Sequence, residues 1–95
     1  MKLLPRLLVI ALLSLGAMQA ADLDVKPADT ISSILTRQVG QVVELRLASG
    51  EKIGGKVEKV GEKVVQLVQL TGQEFFEAAV DLDEVAAVVV RSKAK

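Results

Sequence analysis

The sequence predicts a mostly β protein in which one short N-terminal helix precedes a strongly bent, five-stranded, barrel-like sheet. Apolar residues recur at helical spacing only between Asp29 and Gly40; from Gln41 onward they alternate with polar residues, which is the period of a half-buried strand. Glycines at Gly50 and Gly55 mark a turn and a bend within this pattern. Five short strands with glycine-marked bends favour a small barrel over a flat sheet.

Residues 1–20 have the order of a signal peptide. Lys2 and Arg6 form a positive start, Leu7 to Leu15 are almost all apolar, and residues 16–20 are mostly small or polar. The uncharged stretch after Arg6 is fifteen residues long, whereas a membrane-spanning helix needs roughly 20 apolar residues. We therefore expect cleavage near Ala20, although the sequence does not fix the exact bond. We also expect no stable membrane anchor and a periplasmic or secreted protein.

The charge balance of the mature chain disfavours nucleic acid as a partner. Removing Lys2 and Arg6 from the 12 bases leaves 10, against 12 acids, whereas nucleic-acid binders depend on a basic surface. The chain has no cysteine, so it carries neither a disulfide nor a lipid-anchored cysteine. A domain this small must be well packed, or completed by a second subunit.

The mature chain is predicted to begin with an extended leader at residues 21–28, followed by the helix. Asp29 and Thr30 offer an N-cap, and Ile31, Ile34 and Leu35 fall on one helical face that ends at Gly40. A helix of this length is unstable alone in water, so its apolar stripe must pack. Packing in the core is favoured over docking to a partner.

The strands follow in order. The first covers Val43 to Leu47 and ends in a Ser49–Gly50 turn, and the second runs through Ile53 and Val57, with the Gly54–Gly55 pair predicting a bend or a close backbone approach. The third, Val64 to Leu70, is apolar on both faces and is expected to be central.

The remaining elements are shorter. After a Thr71–Gly72 turn, the fourth strand is predicted from Glu74 to Val80 and a helical turn from Asp81 to Glu84. The fifth strand is predicted from Val85 to Val90 and a frayed tail at residues 92–95.

The run from Val43 to Gly50, the Ile53 to Val57 strand, the long apolar third strand and the Ala79 to Val85 stretch together resemble the Sm-like family, which includes the Sm and LSm proteins and the RNA chaperone Hfq. The resemblance covers residues 29–91. The same motifs also occur in other SH3-like barrels, so that alternative stays open. The resemblance implies a bent five-stranded sheet capped by the helix, and closed rings in which the fourth strand of one subunit pairs with the fifth of the next.

Self-association is also expected from the residues themselves. Val85 to Val90 carries no charge, and an exposed apolar edge strand invites pairing or aggregation. Burial of this strand within a monomer is the alternative. We predict a homo-oligomer whose subunit interface contains Phe75, Phe76, Ala78, Val80, Val85, Val88 and Val90.

The residues with which Sm-like proteins bind RNA are mostly missing. The resemblance implies planar side chains that stack on bases near a pore and, for Hfq, a Lys-His pair in the fourth strand. At the corresponding position, residues 76–79, this chain reads Phe-Glu-Ala-Ala. The whole sequence has no histidine, tyrosine or tryptophan. Phe75 and Phe76 are the only aromatic residues. Because neighbouring strand residues face opposite ways, one is expected in the core and the other outward.

No reactive constellation is visible, so we predict no enzyme, no cofactor and no metal. Histidine and cysteine are absent, which removes imidazole bases, thiol nucleophiles and the usual transition-metal ligands. Asp81, Asp83 and Glu84 could hold calcium, but their spacing is not that of a known loop, and capping of a turn is favoured.

The sequence therefore predicts a non-catalytic periplasmic interaction module, assembled as a homo-oligomeric ring, with an envelope protein as a possible partner bound by strand addition. A single-stranded RNA-binding Sm-like protein is the alternative.

Overall fold

The computed structural model describes residues 22–92. The predicted signal peptide and the end of the predicted tail lie outside these residues. The described chain forms one helix, α1 (Ile31–Arg37), and five strands: β1 (Val42–Leu47), β2 (Lys52–Val60), β3 (Val64–Val68), β4 (Ala78–Asp81) and β5 (Val85–Val89). A 3-10 helix (Leu82–Glu84) joins β4 to β5 at the predicted helical turn. No helix within residues 22–92 has the length and apolar character needed to cross a membrane.

Helix α1 begins with a capping box. The Thr30 hydroxyl accepts from the Ser33 N–H at 3.1 Å, and the Ser33 hydroxyl accepts from the Thr30 N–H at 2.9 Å. These two bonds satisfy backbone donors that the first turn leaves free. The helix ends at Arg37, earlier than predicted, and a turn carries the chain to Gly40, whose φ of +88° suits glycine.

The strands form one antiparallel sheet in the order β4-β3-β2-β1-β5. The prediction that the third strand is central is therefore wrong: β3 lies second from an edge, and β2 is central. β2 pairs with β1 through residues 52–56 and with β3 through residues 56–60, with a register shift between Val57 and Lys59. Lys56 is paired with both neighbouring strands, and Val57, opposite Leu67 of β3, also exchanges backbone hydrogen bonds with Gly40 and Gln41 just before β1. Because one half of β2 pairs with β1 and the other half pairs with β3, the sheet can curl while β2 keeps its hydrogen bonds to both strands.

The Gly54–Gly55 pair lies where the backbone is closely approached. A Cβ added to Gly55 would lie 3.0 Å from Leu70 Cδ2 and 3.1 Å from the Val68 carbonyl oxygen. A Cβ added to Gly54 would lie 2.9 Å from Thr71 Oγ1. The close approach predicted for this pair is present, because the connection after β3 folds back over β2.

The predicted fourth strand is too long. β4 begins at Ala78, and the residues before it form turns. The Gln73 N–H donates to Leu70 O at 2.8 Å, and the Phe76 N–H donates to Gln73 O at 2.9 Å. These local bonds use backbone groups that an extended strand would have offered to β3.

The core lies between the sheet and α1, which packs against β2 and β5. Leu35 is the buried residue of α1, so the apolar helical stripe does pack inward as predicted. Gln38 is 3% exposed, and its Oε1 has no hydrogen-bond partner. The side chains with the least exposure are contributed by the helix and the three inner strands: Leu35, Leu45, Val57, Val65 and Leu67.

Candidate functional site

The two edges of the sheet are the candidate functional surface. Within residues 22–92, β4 pairs only with β3 and β5 pairs only with β1. Each edge strand therefore presents one row of backbone donors and acceptors that the sheet does not use. Such rows pair readily with another strand.

Five of the seven predicted interface residues lie on β4, on β5 or directly after β5, and they fall into two groups. Val80 and Val85 are 8% and 7% exposed and belong to the core of the single chain, so they can offer only their backbone to a partner. Ala78, Val88 and Val90 are half-buried against that core.

An open groove of about 700 Å³ lies at the carboxyl end of β5. We call it the β5 groove. Its apolar walls include Val42 and Val89, which are 64% and 36% exposed, together with Val90. Lys52 and Arg91 supply positive charge at its margin, and neither forms an ion pair with another residue of the described part of the chain. Glu44 also lines the groove, and its carboxylate accepts from Arg46 Nε at 2.8 Å.

The groove was missed from the sequence. Val42 and Val89 lie on β1 and β5, 47 positions apart in the numbering, and the pairing of Glu44 with Val89 brings those strand ends together. An apolar residue at the start of β1 gives no signal of its own, because alternation alone does not say which strand will lie beside it.

The segment before β4, which we call the aromatic loop, has the sequence Glu74 to Glu77. Phe75 is 99% exposed and Phe76 is 61% exposed. The prediction that one of them lies in the core is wrong, because residues 74–77 are not in a strand and strand alternation does not apply to them. The loop instead places both rings in solvent, directly before an unpaired sheet edge.

The acidic cluster at the β4 to β5 connection has a structural role. Asp81 caps the 3-10 helix by accepting from the Asp83 N–H at 2.9 Å, as the capping interpretation predicted. Leu82 donates its N–H to Lys63 O at 2.8 Å, which holds the connection against the β2 to β3 turn. Within residues 22–92, no three acidic residues converge in a way that could hold a metal ion.

The predicted turn glycines occupy different positions in the structure. Gly50 has φ +96° and donates its N–H to Leu47 O at 2.8 Å, so it closes the β1 to β2 turn. Gly55 lies inside β2, opposite Val43 of β1. The lack of a side chain at this position allows the close packing against Leu70 and the Val68 carbonyl oxygen.

A two-pronged ion pair joins Asp29, just before the helix cap, to Arg37, the last residue of α1. Arg37 donates to both carboxylate oxygens of Asp29, at 2.9 and 2.6 Å, and Arg37 Nη2 also donates to Asp24 O in the leader. The guanidinium holds the pKa of the Asp29 carboxyl well below its usual value, and hydrogen bonds from the Lys26 N–H and the Ser33 hydroxyl lower it further. The same pair raises the pKa of Arg37.

This contact leaves Asp29 unsuited to proton transfer. Its side chain is 7% exposed and every nearby donor stabilises the charged form. The carboxylate therefore anchors the leader and helix and does not act as a base at neutral pH.

The comparisons with known proteins bear on the fold. No protein-family model matches the chain, and no curated protein matches it. Among solved structures, the chain is similar to the SmAP (LSm) protein from Methanococcus vannielii, with a TM-score of 0.57 and 19% sequence identity over 68% of this chain and 100% of that one. A likeness at this identity concerns the fold alone. The order of helix and strands, the sheet topology and this similarity together support the conclusion that the chain has an Sm-like fold.

Proposed function

We propose that this protein is a self-assembling, non-catalytic Sm-like module of the cell envelope that binds protein partners through its sheet edges. The observation that carries the proposal is the pair of free edges. β4 and β5 have four and five residues and lie at opposite ends of one sheet. Pairing β4 of one copy with β5 of the next satisfies both rows of backbone groups and repeats around a closed ring.

The exposed apolar residues support assembly over a free monomer. Phe75, Phe76 and Val89 all lie in or directly beside an edge strand, and all three are exposed in the single chain. Contact with another subunit would remove their apolar surface from water, which is favourable by about 25 cal/mol per Å².

The absence of reactive groups supports a binding role. The full sequence has no histidine and no cysteine. The walls of the β5 groove combine valines with Glu44, Lys52, Thr71 and Arg91, and the carboxylate with the strongest pKa shift is committed to Arg37. A surface of this kind can hold a peptide segment by strand addition and contains no imidazole or thiol.

The envelope location rests on residues 1–20. Their order of positive, apolar and small residues is that of an export signal. A fusion of the full chain to a reporter that is active only outside the cytoplasm tests it: activity is expected, and activity that depends on Leu7 to Leu15 excludes leakage. A silent reporter would contradict the location.

Single-stranded RNA binding is the second candidate, and the exposure of both phenylalanines favours it, because bases can stack on such rings. Glu74 and Glu77 flank the rings, and these carboxylates would repel phosphates. Titration of the purified protein with a single-stranded RNA at two salt concentrations distinguishes the candidates. We expect no binding; tight binding that weakens steeply with salt would favour RNA.

Assembly is tested by sedimentation velocity of the purified protein at micromolar concentration. A species several times the mass of one chain is expected. A strict monomer would overturn the self-assembly on which the proposal depends.

A further inference from the structure

We propose that the β5 groove of one copy receives Phe75 and Phe76 of the neighbouring copy when β4 of that neighbour pairs with β5. This inference rests on the proposed self-assembly and names its contact. It assigns an occupant to the β5 groove and a place to both exposed rings.

The position of the aromatic loop fits this arrangement. The loop directly precedes β4 and so lies at the amino end of that strand, whereas the β5 groove lies at the carboxyl end of β5. Antiparallel pairing of β4 with β5 of another copy places these two ends side by side. All four pairings within the sheet are also antiparallel.

Charge selects this direction over the parallel one. Glu74 and Glu77 flank the two rings, and Lys52 and Arg91 lie at the groove. Glu44 also lines the groove, but its carboxylate is paired with Arg46 at 2.8 Å. Antiparallel pairing therefore brings opposite charges together.

Parallel pairing would place the loop beside the amino end of β5. That end directly follows Asp83 and Glu84, so four carboxylates would gather around it. Like charges that face each other across strands are destabilising.

The chemistry of the walls suits aromatic side chains. Val42, Val89 and Val90 line the groove with aliphatic surface, and a phenylalanine that becomes buried removes about 150–250 Å² from water. Thr71, from the same connection as the aromatic loop, also borders the groove. Yet Phe75 of the same chain is 99% exposed and so does not fill it.

Cysteine cross-linking of the full-length protein tests the arrangement, and the native chain adds no background because it has no cysteine. The test variant combines Glu77→Cys with Arg91→Cys, and the matched control combines Glu77→Cys with Glu84→Cys. All three positions are exposed, so neither pair disturbs the core. Mild oxidation is expected to give covalent multimers on a non-reducing gel for the test pair and monomers for the control.

Other outcomes overturn the inference in distinguishable ways. Multimers from the control pair alone would indicate the parallel direction, and a fast-migrating monomer from the test pair would place the loop in the groove of its own chain. An assembled protein that cross-links with neither pair would overturn this contact and leave the self-assembly intact. A wild-type protein that is monomeric in sedimentation overturns both.

Substitution of the rings gives a second measurement. Phe75→Ser with Phe76→Ser is expected to weaken self-association at least tenfold, with an unchanged melting temperature of the dissociated chain. Val39→Ser is the matched control, because Val39 is 48% exposed and lies outside the groove. An equal effect of both variants would contradict a specific contact.

Discussion

The helical end of the molecule and the edges of its sheet differ in how far one chain satisfies its own polar and apolar groups. At the helical end, Thr30 and Ser33 cap the first turn, and Asp29 and Arg37 neutralise each other. At the edges, β4 and β5 each pair with a single strand within residues 22–92, and Phe75 lies almost entirely in solvent. The difference agrees with the proposed roles, in which α1 serves stability and the edges serve contacts with other molecules.

The largest expected effect concerns the attachment of the helix. Leu35→Ala removes the fully buried side chain with which α1 enters the core and should cost about 2–5 kcal/mol of unfolding free energy. Urea denaturation followed by circular dichroism measures it. Val39→Ala, at a side chain that is 48% exposed, is the control and should change the free energy by less than about 0.5 kcal/mol. Equal effects would show that α1 does not depend on core packing.

A charge on β5 is expected to change self-association and to leave the unfolding free energy nearly unchanged. Val89→Asp places a carboxylate on β5, beside the groove where Glu74 and Glu77 of a neighbour are expected, so self-association should weaken at least tenfold, or about 1.4 kcal/mol. The unfolding free energy should stay close to that of the wild type, because Val89 is 36% exposed. Sedimentation at several concentrations and a urea titration test both statements. A variant with a lower unfolding free energy and unchanged self-association would show that Val89 stabilises the fold and does not lie in the interface.

A smaller effect is expected at the helix cap. Thr30→Ala removes the hydroxyl that accepts from the Ser33 N–H and should cost about 1 kcal/mol. Ser92→Ala, at an exposed hydroxyl beyond β5, is the matched control. If Thr30→Ala changed self-association and left the unfolding free energy unchanged, the assignment of stability to α1 and of contacts to the sheet edges would be wrong.

The smallest effect is a change in acid sensitivity. Because the folded pKa of Asp29 lies below its usual value of about 4, the unfolded chain binds more protons between those two values. The contribution of Asp29 to stability is therefore present above about pH 4 and is lost as the pH falls through the lower folded value. Asp29→Asn should show a shallower loss of stability below pH 4 than the wild type. Urea midpoints measured from neutral pH downward give both slopes, and identical slopes would contradict the contact.

Much of the fold could be predicted from local pattern. The change from helical to twofold period placed α1 and the first two strands, because burial on one face imposes that period on neighbouring residues. The Asp81 cap and the helical turn after it were also readable, since a cap depends on residues two or three positions away. The fourth strand was predicted too long because the twofold alternation was extended through residues before Ala78, whose backbone hydrogen bonds close local turns.

The candidate site was less predictable. Phe75 and Phe76 were identified as the notable aromatic pair, but their joint exposure depends on where β4 begins. The β5 groove depends on which strands become neighbours, and no local pattern contains that information.

The sequence by itself determined the kinds and order of the elements, their caps and turns, and the lack of histidine and cysteine chemistry, because each of these follows from residue identity or from contacts within a few positions. The tertiary structure alone decided that β2 is central, that β4 and β5 end the sheet, and that a groove lined by valines and bordered by Lys52 and Arg91 lies at one edge. These features follow from hydrogen bonds and packing between residues far apart in the chain, whose partners are chosen only when the whole core closes.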